Sequence, residues 1–85
     1  MGTWKHNLKC WPTSFKAIRR GNKSFDLRND DRNFEVNDKI LLREYDPEKE
    51  SYTGAAMDLQ VIYILRDFPG LEKGYCILGL KKDTY

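Results

Sequence analysis

Lys23, Asp26 and Arg28 stand close together in the stretch Gly21-Asn22-Lys23-Ser24-Phe25-Asp26-Leu27-Arg28. Two cations and one carboxylate at this spacing could do one of two things. In a cleft, Lys23 and Arg28 would hold phosphates while Asp26 orients a cation or accepts from a base edge. On an open surface they would form an ion pair worth at most about 1 kcal/mol. The alternation favours a strand, with Phe25 and Leu27 on one face and Asp26 and Arg28 on the other.

Other residues could join this set. Lys9 and Trp11 flank Cys10. Trp11 is either a stacking platform, worth roughly 1 to 3 kcal/mol per base, or a hydrophobic staple against Phe15. Arg32 is a phosphate contact or a loop-fixing partner for Asp30 or Asp31. Tyr45 and Tyr52 flank an acidic loop as base stackers or rim residues. His6 is the single histidine, and a structural role suits it.

The elements that must position these groups are short. Lys5 to Cys10 reads as a first strand. Trp11-Pro12 opens a helix, since proline suits the first helical position. Trp11, Phe15 and Ile18 follow at helical spacing. Arg19 and Arg20 suit the negative end of the helix dipole, and Gly21 supplies a left-handed closing residue. Lys23 to Arg28 is the second strand and Asn29 to Asn33 a polar loop. Lys39 to Tyr45 is a third strand with apolar residues on both faces, as where a sheet curls. Asp46 to Ser51 is a loop. Tyr52 to Leu65 is mostly strand, with Met57, Leu59, Val61, Tyr63 and Leu65 alternating; Gly54 and the alanines after it mark a bulge. Tyr75 to Leu80 is the last strand. One helix among five or six strands predicts a mostly β α+β fold: a small mixed barrel with the helix plugging one side.

At 85 residues, this is one domain. Its core is thin, so a groove is expected rather than a deep closed site. Net charge is only +2, but it is unevenly spread. Residues 1–32 carry a net of +5 and residues 33–85 a net of −3. The first part is where an anionic partner is expected. With 40% hydrophobic residues the chain is too apolar for a disordered segment, and no apolar run is long enough to span a membrane. Met1-Gly2-Thr3-Trp4-Lys5-His6 has no signal-peptide core, and His6 stands where myristoylation wants Ser or Thr. A cytoplasmic location is expected. Cys10 and Cys76 read as reduced core thiols. No metal-ligand spacing is present, and no cofactor is expected.

The order of motifs resembles the activating-signal-cointegrator homology (ASCH) group of the PUA-like superfamily. Within it, the chain is most similar to a small bacterial and phage family of unknown function. The resemblance rests on His6-Asn7-Leu8-Lys9-Cys10-Trp11-Pro12, Phe15, and the Gly21 to Arg28 stretch. Asn29 to Phe34, Val36-Asn37-Asp38, Leu42 to Asp46, Tyr52-Thr53-Gly54, Ile62 to Leu65 and Gly74 to Gly79 complete it. Asp26 stands where the ASCH pattern usually has Glu, Ser24 where it has Thr, and Asn37 where it has Gly. The resemblance implies a PUA-like barrel and an RNA- or nucleotide-binding cleft beside the helix, lined by the Gly-x-Lys motif. Lys9, Trp11, Lys23, Asp26, Arg28, Arg32 and Tyr45 are the candidate binding residues. Some ASCH proteins are amidohydrolases of acylated cytidine, using this Lys, a Thr nucleophile and a distant Glu. Here Asp26 occupies the nucleophile position, and a carboxylate does not replace that hydroxyl. A binding module is therefore the expectation. An amidohydrolase-like enzyme and a protein-interaction module acting through the acidic 44–50 segment are the alternatives. The oligomeric state is not legible.

Overall fold

A computed structural model describes residues 4–83; Met1 to Thr3, the start of the segment weighed for targeting, lie outside it. The order is β1 (His6–Cys10), α1 (Pro12–Arg20), β2 (Phe25–Asn29), β3 (Lys39–Asp46), β4 (Ser51–Leu65) and β5 (Tyr75–Lys82). The five strands form one sheet in the order β1-β3-β4-β5-β2. It curls into a half-barrel, the mostly β α+β architecture that the strand pattern implies. β1 runs parallel to β3, and the other pairings are antiparallel.

The inner face is set by strand alternation. Leu8 and Cys10 of β1, Ile40 and Leu42 of β3, Leu59 and Val61 of β4, and Cys76, Leu78 and Leu80 of β5 are all buried. α1 covers this concave face. It starts at Pro12, with extended Trp11 as a cap residue that makes no side-chain capping bond, and it closes at left-handed Gly21 (φ +88°). Phe15 and Ile18 descend from the helix into the core. Arg19 and Arg20 lie in the last turn, where positive charge suits the helix dipole, and the Lys82 ammonium donates to the Arg19 carbonyl.

The barrel stays open along one seam. Among the described residues, no backbone ladder joins β1 to β2. Two arginines bridge the gap instead. Arg28 donates to the Lys9 carbonyl through Nη1 (3.3 Å) and Nη2 (3.2 Å), and Arg32 Nη1 lies 3.4 Å from the Asn7 carbonyl.

Two ladder irregularities shape the sheet. In the first, Arg43 pairs with Ala56 and Tyr45 with Tyr52, so Thr53, Gly54 and Ala55 all face the single residue Glu44. This is the bulge expected around Gly54, whose φ is +99°. In the second, Val61 pairs with Leu80 and Tyr63 with Gly79. The extra residue there moves Tyr63 to the outside, 63% exposed, and Ile64 takes the inward place against the core. The expected inward run from Met57 to Leu65 is therefore broken after Val61, since one extra residue reverses every later side chain.

Both cysteines are free and buried. Burial pushes the thiols of Cys10 and Cys76 up, and neighbouring carboxylate charge adds to the effect. No helix among the described residues is long and apolar enough to cross a membrane.

Candidate nucleic-acid interface

The polar face of β2 points inward. Asp26 is buried (8% exposed) and Arg28 half-buried, while Phe25 and Leu27 stand outside. Such an inversion has a physical reason. The inner face of β2 lies at the unpaired seam, where side chains must satisfy backbone groups that no neighbouring strand reaches. Arg28 Nη1 donates to Asp26 Oδ2 at 2.9 Å, and Lys23 Nζ lies 4.0 Å from Asp26 Oδ1. Lys23 also donates to the Ser14 hydroxyl in the first turn of α1. The Cys10 thiol belongs to the same cluster: it donates to the Trp11 carbonyl at 3.6 Å and feels the charges of Asp26, Lys23 and Arg28. Lys23, Asp26 and Arg28 thus meet beside the start of the helix.

Lys9 and Tyr45 correct the expected convergence. Leu8 and Cys10 point inward, so the side chain of Lys9 between them points outward. Only the Lys9 carbonyl touches the cluster. Its ammonium sits 4.2 Å from the centre of the Tyr45 ring, on the outer face. Tyr45 packs edge-on against Tyr52 (5.1 Å), whose ring carries the Arg43 guanidinium at 3.8 Å. Trp11 is 62% exposed at the helix entry and plays no core role. Arg32 lies 4.0 Å from Asp31 as an exposed pair. Asp30 takes a different partner: Arg66 Nε donates to it at 2.5 Å, and Arg66 Nη2 donates to the Phe34 carbonyl at 2.8 Å. The Arg66 hydrogen bond holds the Asp30 carboxyl below its ordinary value. His6 is structural, with Nε2 2.9 Å from Asp38 Oδ2 and its ring packed on Phe34.

Towards the end of α1, Lys23 also reaches a second feature. An open depression of about 280 Å³ is lined by Ile18, Gly21, Lys23, Ser24, Leu59, Leu80, Lys81 and Lys82. Its floor is apolar and its rim carries three lysines. Two of them, Lys81 and Lys82, escaped the sequence reading. The adjacent lysines at the end of the last apolar alternation were the available signal, but nothing in the sequence showed that β5 ends under the helix.

The sequence reading had Glu44 only as the first residue of an acidic interaction segment, not as a buried group. Glu44 is 7% exposed. Thr53 Oγ1 donates to its Oε1 at 2.8 Å, while Oε2 is buried and finds no partner among the described residues. The signal was weak: a Glu at an inward position of an alternating strand. No three of His, Cys, Asp and Glu among the described residues come together as metal ligands.

These features define a small half-barrel domain with a charged cluster and a lysine-rimmed depression along its helix. Residues 5–80 match the family model of a domain of unknown function, DUF3850, and the chain belongs to that family. A comparison with curated proteins returns no match.

Proposed function

We propose that the domain binds RNA, or a nucleotide, along the flank of α1. Lys23 and Arg28 meet phosphate, and the depression beside Lys23 receives the adjoining unit. One observation carries this reading: Lys23 belongs both to the Asp26–Arg28 cluster and to a depression with an apolar floor and further lysines. An apolar surface beside cations is what a base next to its phosphate requires. Exposed Trp11 at the helix entry offers a stacking face. The resemblance to ASCH proteins supports the same reading, and with it placement in the PUA-like superfamily; the N-terminal sequence, without a signal-peptide core, supports work in the cytoplasm.

The test is fluorescence anisotropy with labelled single-stranded RNA across a salt series. Lys23→Ala with Lys81→Ala removes two rim cations and keeps the Arg28 bonds to Asp26 and to the Lys9 carbonyl across the seam. Weaker binding, with the salt slope reduced by about one or two units, is expected. Unchanged affinity and slope would remove the flank of α1 from consideration.

A further inference from the structure

Glu44 is built into its place by several features that stability alone does not require. Three residues of β4 bulge out opposite it. Gly54 in that bulge adopts φ +99°. The Ala55 amide donates to Thr53 Oγ1 at 3.2 Å, and the Thr53 hydroxyl donates onward to Glu44 Oε1 at 2.8 Å. This relay fixes the carboxylate and leaves Oε2 unmatched inside the protein. A buried carboxylate oxygen without a donor is costly, and such features concentrate at functional sites.

The position points to the charged cluster. Cys10 is the register partner of Glu44 on β3, and both face the concave side. Neighbouring strands lie about 4.8 Å apart, and the Cys10 thiol is itself in the field of Asp26, Lys23 and Arg28. Burial keeps that thiol protonated, so it adds no second negative charge beside Glu44.

We propose that Glu44, held by Thr53, is the base-reading residue of this domain and selects guanine. This deepens the RNA- or nucleotide-binding reading above and rests on it: the base that is read lies on the seam side of the cluster, and the depression beside Lys23 takes the neighbouring unit of the chain. Oε2 has a free place for a donor, and a carboxylate oxygen accepts hydrogen bonds. The Watson–Crick edge of guanine presents two adjacent donors, N1–H and N2–H₂. Adenine and cytosine place a ring acceptor beside their amine, and uracil flanks its single N–H with carbonyls. The route to Glu44 is by way of the seam, where the Arg28 guanidinium that would take the phosphate holds the Lys9 carbonyl, next to Cys10.

The experiment measures affinity for GMP, AMP, CMP, UMP and guanosine by calorimetry, in the wild type, Glu44→Gln and Thr53→Val. The wild type is expected to prefer GMP by about tenfold or more and to bind guanosine more weakly than GMP. Glu44→Gln should erase the preference while leaving the weaker nucleotides unchanged. Thr53→Val, which frees the carboxylate without removing it, should lose part of the preference. Equal binding of all four nucleotides by the wild type, or a GMP preference that survives in Glu44→Gln, overturns the role of Glu44 and leaves the binding proposal standing. If Glu44→Gln does not fold, a full preference in Thr53→Val overturns it. Failure of the wild type to bind any nucleotide or RNA overturns the binding proposal itself.

Discussion

Replacing Arg28 by Met should loosen the seam of the half-barrel, and the size of the effect follows from the hydrogen bonds that the guanidinium makes. Methionine keeps most of the apolar stem and removes the guanidinium. One charge-assisted bond disappears, from Nη1 to Asp26 at 2.9 Å. Two longer bonds converging on the Lys9 carbonyl disappear with it. The side chains of Arg28 and Asp26 are only 23% and 12% exposed, so water compensates poorly. Hydrogen bonds to charged groups contribute about 1.5–3 kcal/mol, and the shared carbonyl counts as roughly one neutral bond of about 1 kcal/mol. Lys23, 4.0 Å from the carboxylate, retains part of the Asp26 interaction. The expected loss is therefore about 2–4 kcal/mol, a large share of the stability of a small domain. Melting should fall by roughly 8–32 °C at the usual 4–8 °C per kcal/mol for this size. Asp26→Asn alone should cost about 1–3 kcal/mol, and the double variant less than the two together by about 1–2 kcal/mol. Urea denaturation followed by circular dichroism measures all three. Losses that add within about 0.5 kcal/mol would show that the two residues are not coupled, and an Arg28→Met loss below about 1 kcal/mol would refute the bridged seam.

Acid should destabilise the fold below about pH 4, near the unfolded carboxylate value. Burial pushes Asp38 up, but hydrogen bonds from His6 and the Glu35 amide outweigh it and hold the group below its ordinary value; the Arg66 hydrogen bond does the same for Asp30. Depressed carboxylates contribute stability that is present above the unfolded pKa and lost as pH falls through the folded one. Arg66→Gln should flatten part of this limb in urea midpoints taken from about pH 7 to about pH 2.5; an identical limb would contradict the Asp30 assignment. The buried thiols of Cys10 and Cys76 should react with a disulfide reagent about a hundredfold or more slower in the folded protein than in urea, and fast native labelling would show that the concave face opens readily. Gly54→Ala should cost roughly 1–2 kcal/mol from its positive φ alone, because an added Cβ would meet nothing within 4 Å; a neutral substitution would show that the bulge relaxes freely.

Much of the fold was legible because its punctuation is local. Pro12 and Gly21 mark the ends of α1 by the first missing N–H and the left-handed closing residue, and both positions are as expected. Burial alternates residue by residue in β3 and β5, although the run Ile40-Leu41-Leu42 makes both faces of β3 apolar in the sequence. What sequence could not show is which face of a strand turns inward at an open seam. In β2 the apolar pair Phe25 and Leu27 would conventionally be placed inside, yet the seam draws in Asp26 and Arg28. The bulge after Val61 similarly reverses Tyr63, since an added residue changes facing without changing composition. Of the candidate site, the grouping of Lys23, Asp26 and Arg28 was legible from spacing. The outward turn of Lys9 and Tyr45 depended on the parity of Cys10 and Leu8. Glu44 and Lys82 depended on pairings between distant segments.

The 15-residue β4 pairs with β3 along its first half and with β5 along its second. Those two hairpins join neighbours in sequence, so they can assemble early, whereas β1 must find β3 across the intervening helix and loops. The strands that precede β3 therefore have no sheet to join until the later ones exist. During synthesis on the ribosome, the Gly21 to Arg28 stretch must wait for β5, its ladder partner, and the domain commits to its shape late, from its second half backwards.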